Sequence, residues 1–261
     1  MKLSLGFSPC PNDTFIFDAL VHNKIDTEGL EFEYFMADVE ELNQKAIQNL
    51  ADVSKVSFHA YLFLRSNYTL LNSGSALGEN VGPLLISKRK YSLNEIDGLS
   101  IAIPGKLTTA NLLLKIAAPK AVNKTEIVFS DIENAVLEDK FDAGLIIHEN
   151  RFTYLDKGLK KIIDLGEYWK KLTNSPIPLG GIIAKKGLTE STIEKLNRII
   201  KRSVLFAMNN PESSKDFVKQ NAQEMADDVI EKHINLYVNN YTIELGDRGK
   251  KAINTLIQNA I

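Results

Sequence analysis

Segments with strand periodicity alternate with segments of helix periodicity through most of this chain, and that alternation restricts it to α/β architectures. Residues 2–8 read as a strand, 13–22 as a helix capped by Asn12 or Asp13, and 30–36 as a half-buried strand. A helix at 38–49 and strands at 51–57 and 81–87 follow. A second series then opens with a strand at 99–103 and a turn at Pro104-Gly105. Next come a helix to about residue 118 capped by Thr108 or Thr109, a strand at 126–130 and a helix at 131–139 capped by Asp131. Strands at 143–148 and 178–184 complete the pattern, and from Thr189 onward it is helical almost to the end, with a break at Pro211. Such alternation predicts mostly parallel sheets covered by helices on both faces.

An internal echo predicts two similar lobes. Asp52-Val-Ser-Lys-Val-Ser-Phe58 and Asp142-Ala-Gly-Leu-Ile-Ile-His148 lie 90 residues apart, and each follows a helical segment. Chain crossings near residues 88 and 183 would give one lobe of residues 1–87 with 184–261 and another of 88–183. In open α/β sheets ligands bind beyond the carboxyl ends of strands. That rule nominates residues 8–14, 55–59, 104–110 and 148–154 as walls of a cleft between the lobes.

Composition narrows the partners. The net charge is −2, and the lysine pairs Lys160-Lys161, Lys170-Lys171, Lys185-Lys186 and Lys250-Lys251 are scattered, so nucleic acid is not expected as a partner. No apolar run approaches the roughly 20 residues of a membrane helix, so membrane insertion is not expected. The start of the chain reads as a strand rather than an export signal, and Cys10 is the single cysteine. A soluble cytoplasmic protein is therefore expected; the oligomeric state is not written in the sequence.

Several chemistries lack their motif. Gly105-Lys106-Leu107-Thr108 breaks the phosphate-loop pattern at Leu107, and Ser100 stands where the first glycine belongs. No Gly-x-Gly-x-x-Gly follows the first strand, and no Gly-x-Ser-x-Gly is present. His22, His59, His148 and His233 give no metal-ligand spacing. No cofactor and no metal are expected.

Four places remain. Ser8-Pro-Cys-Pro-Asn-Asp-Thr14 is a stiff strand-to-helix turn; it is either structural, or Asn12 and the first helix amides receive a carboxylate. Cys10 has no recognisable base beside it, so its role stays open. Lys55-Val56-Ser57 end a strand; the lysine either holds a carboxylate or reaches along the surface to water. Thr108, Thr109 and Ala110 start a helix, where small residues both cap and leave amides for an anion. His148 ends an apolar strand and precedes a polar, aromatic run; it is either a satisfied strand-end histidine or a general base.

Three of these segments carry a family resemblance. Ser8-Pro-Cys-Pro-Asn-Asp-Thr-Phe15, Ala51-Asp-Val-Ser-Lys-Val-Ser57 and Gly144-Leu-Ile-Ile-His-Glu-Asn-Arg-Phe-Thr-Tyr154 resemble the 1,4-dihydroxy-6-naphthoate synthases of the futalosine route to menaquinone. The resemblance implies a two-lobed α/β fold like that of type 2 periplasmic binding proteins. It implies a lyase that cleaves cyclic dehypoxanthine futalosine, a small carboxylate-bearing substrate. It assigns the proton acceptor to His148 and substrate contacts to Lys55, Val56, Ser57, Thr109 and Ala110. A cytoplasmic binding protein for a small aromatic carboxylate, and the chorismate dehydratase of the same pathway, are the competing readings. The His-Glu-x-Arg-Phe-Thr-Tyr run speaks against the dehydratase.

Overall fold

The computed structural model describes residues 1–79, 81–223 and 226–260. In chain order the elements begin with β1 (Lys2–Phe7), α1 (Pro11–Val21), β2 (Glu31–Met36), α2 (Val39–Ile47), β3 (Val53–Ser57) and α3 (Phe58–Leu64). They continue with β4 (Tyr68–Leu70), β5 (Ala76–Gly78), β6 (Leu84–Ser87), β7 (Ile101–Ile103), α4 (Thr109–Ala117) and β8 (Lys124–Glu126). Next are α5 (Ile132–Leu137), β9 (Ala143–Ile146), α6 (Asn150–Thr153), β10 (Lys160–Asp164), α7 (Leu165–Thr173) and β11 (Ile177–Lys185). The described residues end with α8 (Glu190–Asn209), α9 (Lys215–Asn221), α10 (Asp227–Tyr237), α11 (Asn240–Ile243) and α12 (Gly246–Asn259). The helical reading at residues 224 and 225 lies outside the described residues.

The chain forms two compact units, Met1–Leu77 with Gly180–Lys251, and Gly78–Leu179 with Ala252–Ile261. The sequence reading set the crossings near 88 and 183; here the units part after residues 77, 179 and 251. Strand β6 is the reason for the early parting, because it pairs with β9 and β10 of the second unit.

The first sheet has the order β2-β1-β3-β11-β4, with β5 also on β11. The second has the order β10-β6-β9-β7-β8. Read from its other end, the second repeats the first. Strands β1 and β7 are each parallel to both neighbours. Strands β11 and β6 are each antiparallel to both of the neighbours just named in the order. Four of the five strands in each order therefore share one direction, so the sheets are mostly parallel, as the sequence predicted. The strand laid beside β3 in one sheet and β9 in the other runs against the rest, and alternation of elements does not encode that direction.

The echo between residues 52–58 and 142–148 is a structural equivalence. Ser4 donates its N–H and hydroxyl to Asp52 Oδ2 at 2.9 and 2.8 Å, and the Asp52 N–H returns to Ser4 Oγ at 2.9 Å. Ser100 and Asp142 repeat this clasp at 2.9, 2.7 and 3.1 Å. Each clasp fixes the register of two parallel strands at their amino ends. The bonds from Ser100 hold the Asp142 carboxyl below the usual carboxylate value. At Asp52 burial pushes upward, but the Ser4 bonds and the Lys185 ammonium outweigh it and leave the carboxyl lowered.

Each unit has its own core. Phe7, Phe15, Phe17, Leu20, Ile182, Leu196 and Ile200 belong to the first. Leu84, Ile86, Phe129, Ile132, Val136 and Ile146 belong to the second. Two sequence assignments shift at the edges. The strand expected at 126–130 occupies Lys124–Glu126, because Phe129 turns into the core on a short 3₁₀ turn while Val128 stays exposed. The strand expected at 143–148 stops at Ile146.

Candidate active site

Parallel pairing gathers the candidate groups of each unit at one sheet edge. In the first unit β1 and β3 run parallel, so the turn after Phe7 and the end of β3 share that edge. Helix α1 starts at Pro11, whose ring presets the first helical φ. Its N-cap is Cys10, which makes no side-chain cap bond, so neither Asn12 nor Asp13 plays the capping role predicted for them. Both side chains turn to other partners instead. Asp13 takes the Ser8 N–H at 3.3 Å and the Ser8 hydroxyl at 2.8 Å on one oxygen. Its other oxygen takes the Asn12 amide at 2.8 Å and Lys55 Nζ at 2.9 Å. Asn12 Oδ1 meets His233 Nε2 at 2.9 Å.

Lys55 neither reaches water nor stands as an uncompensated cation. It is 5% exposed, and its ammonium is shared between Asp13 and the carbonyl of Gly74 at 2.8 Å. The pair fastens α1, β3 and the Gly74 turn at one point. Val56 is also buried, and Gly181 of β11 lies opposite it. A Cβ at Gly181 would fall 2.7 Å from Leu70 and 2.9 Å from Phe58, so the strand can approach only without a side chain there.

Ser57 closes β3 and sits at the N-cap of α3 without making a side-chain cap bond. Asn43 of α2, fully buried, holds it instead. The Ser57 N–H donates to Asn43 Oδ1 at 2.9 Å, and Asn43 Nδ2 donates to Ser57 Oγ at 3.3 Å.

In the second unit β7 and β9 run parallel and again bring two candidates to one edge. Thr108 caps α4 by accepting from the Asn111 N–H at 3.2 Å. Thr109 and Ala110 open that helix and are buried, and the Thr109 hydroxyl donates to Leu179 O at 2.7 Å.

His148 lies two residues beyond β9, in the left-handed region at φ 57°. That turn ends the extended run and explains why the strand is shorter than its apolar sequence. Half-buried, the imidazole packs edge-on against Phe129, with centroids 4.9 Å apart. The residues after it anchor it. Asn150 Nδ2 donates to Glu133 Oε2 at 2.5 Å, and Lys157 joins the same oxygen at 2.7 Å. Arg151 donates to the Gly82 carbonyl at 2.5 Å and pairs with Asp164 at 3.0 Å. Asp164 in turn caps α7 through the Gly166 and Glu167 N–H groups. The polar run after His148 thus supplies two tethers directly C-terminal to a strained backbone position.

Asp13, Asn43 and Glu133 were not singled out as functional from sequence. Asp13 read as a helix cap. Asn43 and Glu133 carry no local signal, because their partners lie 14 and 17 residues away and meet them only through the fold.

Comparison with known proteins places these residues in a family. A family model described as menaquinone biosynthesis matches residues 3–260. The chain is 42% identical over 258 residues to a 1,4-dihydroxy-6-naphthoate synthase of Thermus thermophilus, covering 99% of this chain and 93% of that protein. It is 39% identical over 264 residues to the enzyme of the same name from Streptomyces coelicolor, covering 99% and 92%. A crystal structure of an Archaeoglobus fulgidus protein aligns with a TM-score of 0.94 at 35% identity, covering 99% of this chain and 96% of that one. An alkanesulfonate-binding protein of Xanthomonas axonopodis aligns at 0.69 with 13% identity, covering 90% and 84%, a likeness of fold alone. No helix among the described residues is long and apolar enough to cross a membrane. The fold is that of the periplasmic-binding-protein-like α/β proteins, and the chain belongs to the 1,4-dihydroxy-6-naphthoate synthase family of menaquinone biosynthesis.

Proposed function

We propose that the chain is a carbon–carbon lyase that converts cyclic dehypoxanthine futalosine to 1,4-dihydroxy-6-naphthoate, with His148 as the general base and the cytoplasm as its place of work. The observation that carries this reading is the full-length identity to two synthases of that name, taken with the setting of His148. A left-handed backbone, an aromatic wall and two tethers fix the imidazole where a strand ends, and orientation of a base is worth rate.

In this reading the imidazole removes a proton next to the substrate ketone. The carbon skeleton opens, the sugar-derived part leaves, and the new ring aromatises. Aromatisation supplies the drive, so the protein's task is a positioned base and recognition of the substrate carboxylate. Ser57, Thr109, Ala110 and the backbone of Lys55 and Val56 are the contacts proposed for that substrate, with Asn12 nearby in the first unit. The Lys55 ammonium, already matched by Asp13, serves the carboxylate only by holding the turn in place. The test is a mass-spectrometric assay with cyclic dehypoxanthine futalosine. The wild-type protein is expected to form the naphthoate. His148→Ala is expected to bind substrate and to lose at least 10²-fold in kcat, the range of a general base. Turnover retained by that variant removes His148 from the role.

A further inference from the structure

The bond between Asn43 and Ser57 has a fixed direction. The Ser57 N–H can only donate, so the Asn43 atom that meets it at 2.9 Å is the carbonyl oxygen. The opposite atom is then the amide nitrogen, and it lies 3.2 Å from a carboxylate oxygen of Glu40, an acceptor, as that assignment requires. The same nitrogen donates to Ser57 Oγ at 3.3 Å. Ser57 Oγ accepts in that bond, so its own proton is left for another acceptor. A second observation agrees. Serine at an N-cap ordinarily turns its oxygen onto the helix amides, and Ser57 makes no such bond to α3. The hydroxyl is withheld from the local role that its position offers.

We infer that Asn43 is a positioning residue that makes the Ser57 hydroxyl a dedicated donor, so that this position selects a hydrogen-bond acceptor, the substrate carboxylate, over a donor. The inference deepens the proposed function and rests on Ser57 as a substrate contact.

The test reverses the bond. Aspartate at 43 still accepts from the Ser57 N–H but draws the serine proton toward itself. Glu40→Gln accompanies it, so that residue 40 donates where it now accepts. In calorimetry with 1,4-dihydroxy-6-naphthoate as the probe, Glu40→Gln/Asn43→Asp is expected to raise Kd roughly tenfold or more, the loss of one hydrogen bond to a charged group. In turnover the loss is expected in KM, with kcat little changed. Ser57→Ala is expected to cost about the same, and adding it to the Asn43 variant to cost nothing further. A Kd unchanged in the Asn43 variant but raised by Ser57→Ala overturns the inference and leaves the Ser57 contact standing. Additive costs overturn it too, because they mark a purely structural asparagine. A Kd untouched by Ser57→Ala removes both the contact and the inference. Lack of turnover in the wild type refutes the proposed function separately, since Kd is read without it. If the Asn43 variant does not fold, wild-type crystals soaked with the naphthoate decide. A carboxylate oxygen within about 3 Å of Ser57 Oγ is expected, and a ring hydroxyl there, or no contact, overturns the inference.

Discussion

Replacing His148 separates the work of its ring from the strain of its backbone. Alanine and glycine both delete the imidazole, but only glycine is at ease at φ 57°. His148→Gly is expected to be about 1 kcal/mol more stable than His148→Ala in urea unfolding, with both equally inactive. The Asp13–Lys55 pair is a second residue-scale case. Both members are almost wholly buried, so deleting one leaves the other charge without its counter-ion. Asp13→Ala is expected to cost about 3–5 kcal/mol in the same measurement, and Asp13→Leu/Lys55→Met to recover most of that. A double variant no more stable than Asp13→Ala would show that the pair is needed for more than its charge balance.

At the scale of elements, the two serine–aspartate clasps do the same work on β1–β3 and β7–β9. Both aspartates have folded-state values below their ordinary value of about 3.9. Each therefore contributes stability that is complete above about pH 4 and is lost as pH falls through the lower folded value. Asp52→Asn/Asp142→Asn is expected to flatten the pH dependence of unfolding below about pH 4 and to leave its shape above pH 5 unchanged. Ser100→Ala is expected to cost about 1 kcal/mol or less, since the Asp142 side is exposed and water competes there. Much at this scale was legible. Helix α2 begins with Asp38 at its cap, and α4 begins behind Thr108, where a side-chain oxygen followed by apolar spacing marks a start. Strands β4, β5 and β10 escaped the sequence reading. The first two have three residues each, too few to show a period, and β10 begins Lys160-Lys161, which read as a solvated face.

On the scale of the whole molecule, the chain passes between its units within β5, β11 and α12, each a regular element with residues in both. Unfolding one unit takes hydrogen-bonded structure from the other, so a single cooperative transition is expected. Trp169, the single tryptophan, is buried in the second unit and donates to Pro176 O at 3.1 Å. Its fluorescence and far-UV circular dichroism are expected to give one midpoint. Asp13→Ala, a first-unit lesion, is expected to move both midpoints equally, and a shift in the circular dichroism alone would show independent units. The sequence by itself determined the α/β class, the two-fold echo and the starts of α2, α4 and α8, because periodicity, capping and motif are local properties of a chain. Tertiary structure alone decided that β6 and β11 run against their neighbours, that Lys55 spends its charge on Asp13, and that Asn43 hydrogen-bonds Ser57. Those outcomes depend on groups separated in sequence by 14 residues or many more, and no local pattern encodes which buried donor will meet which acceptor.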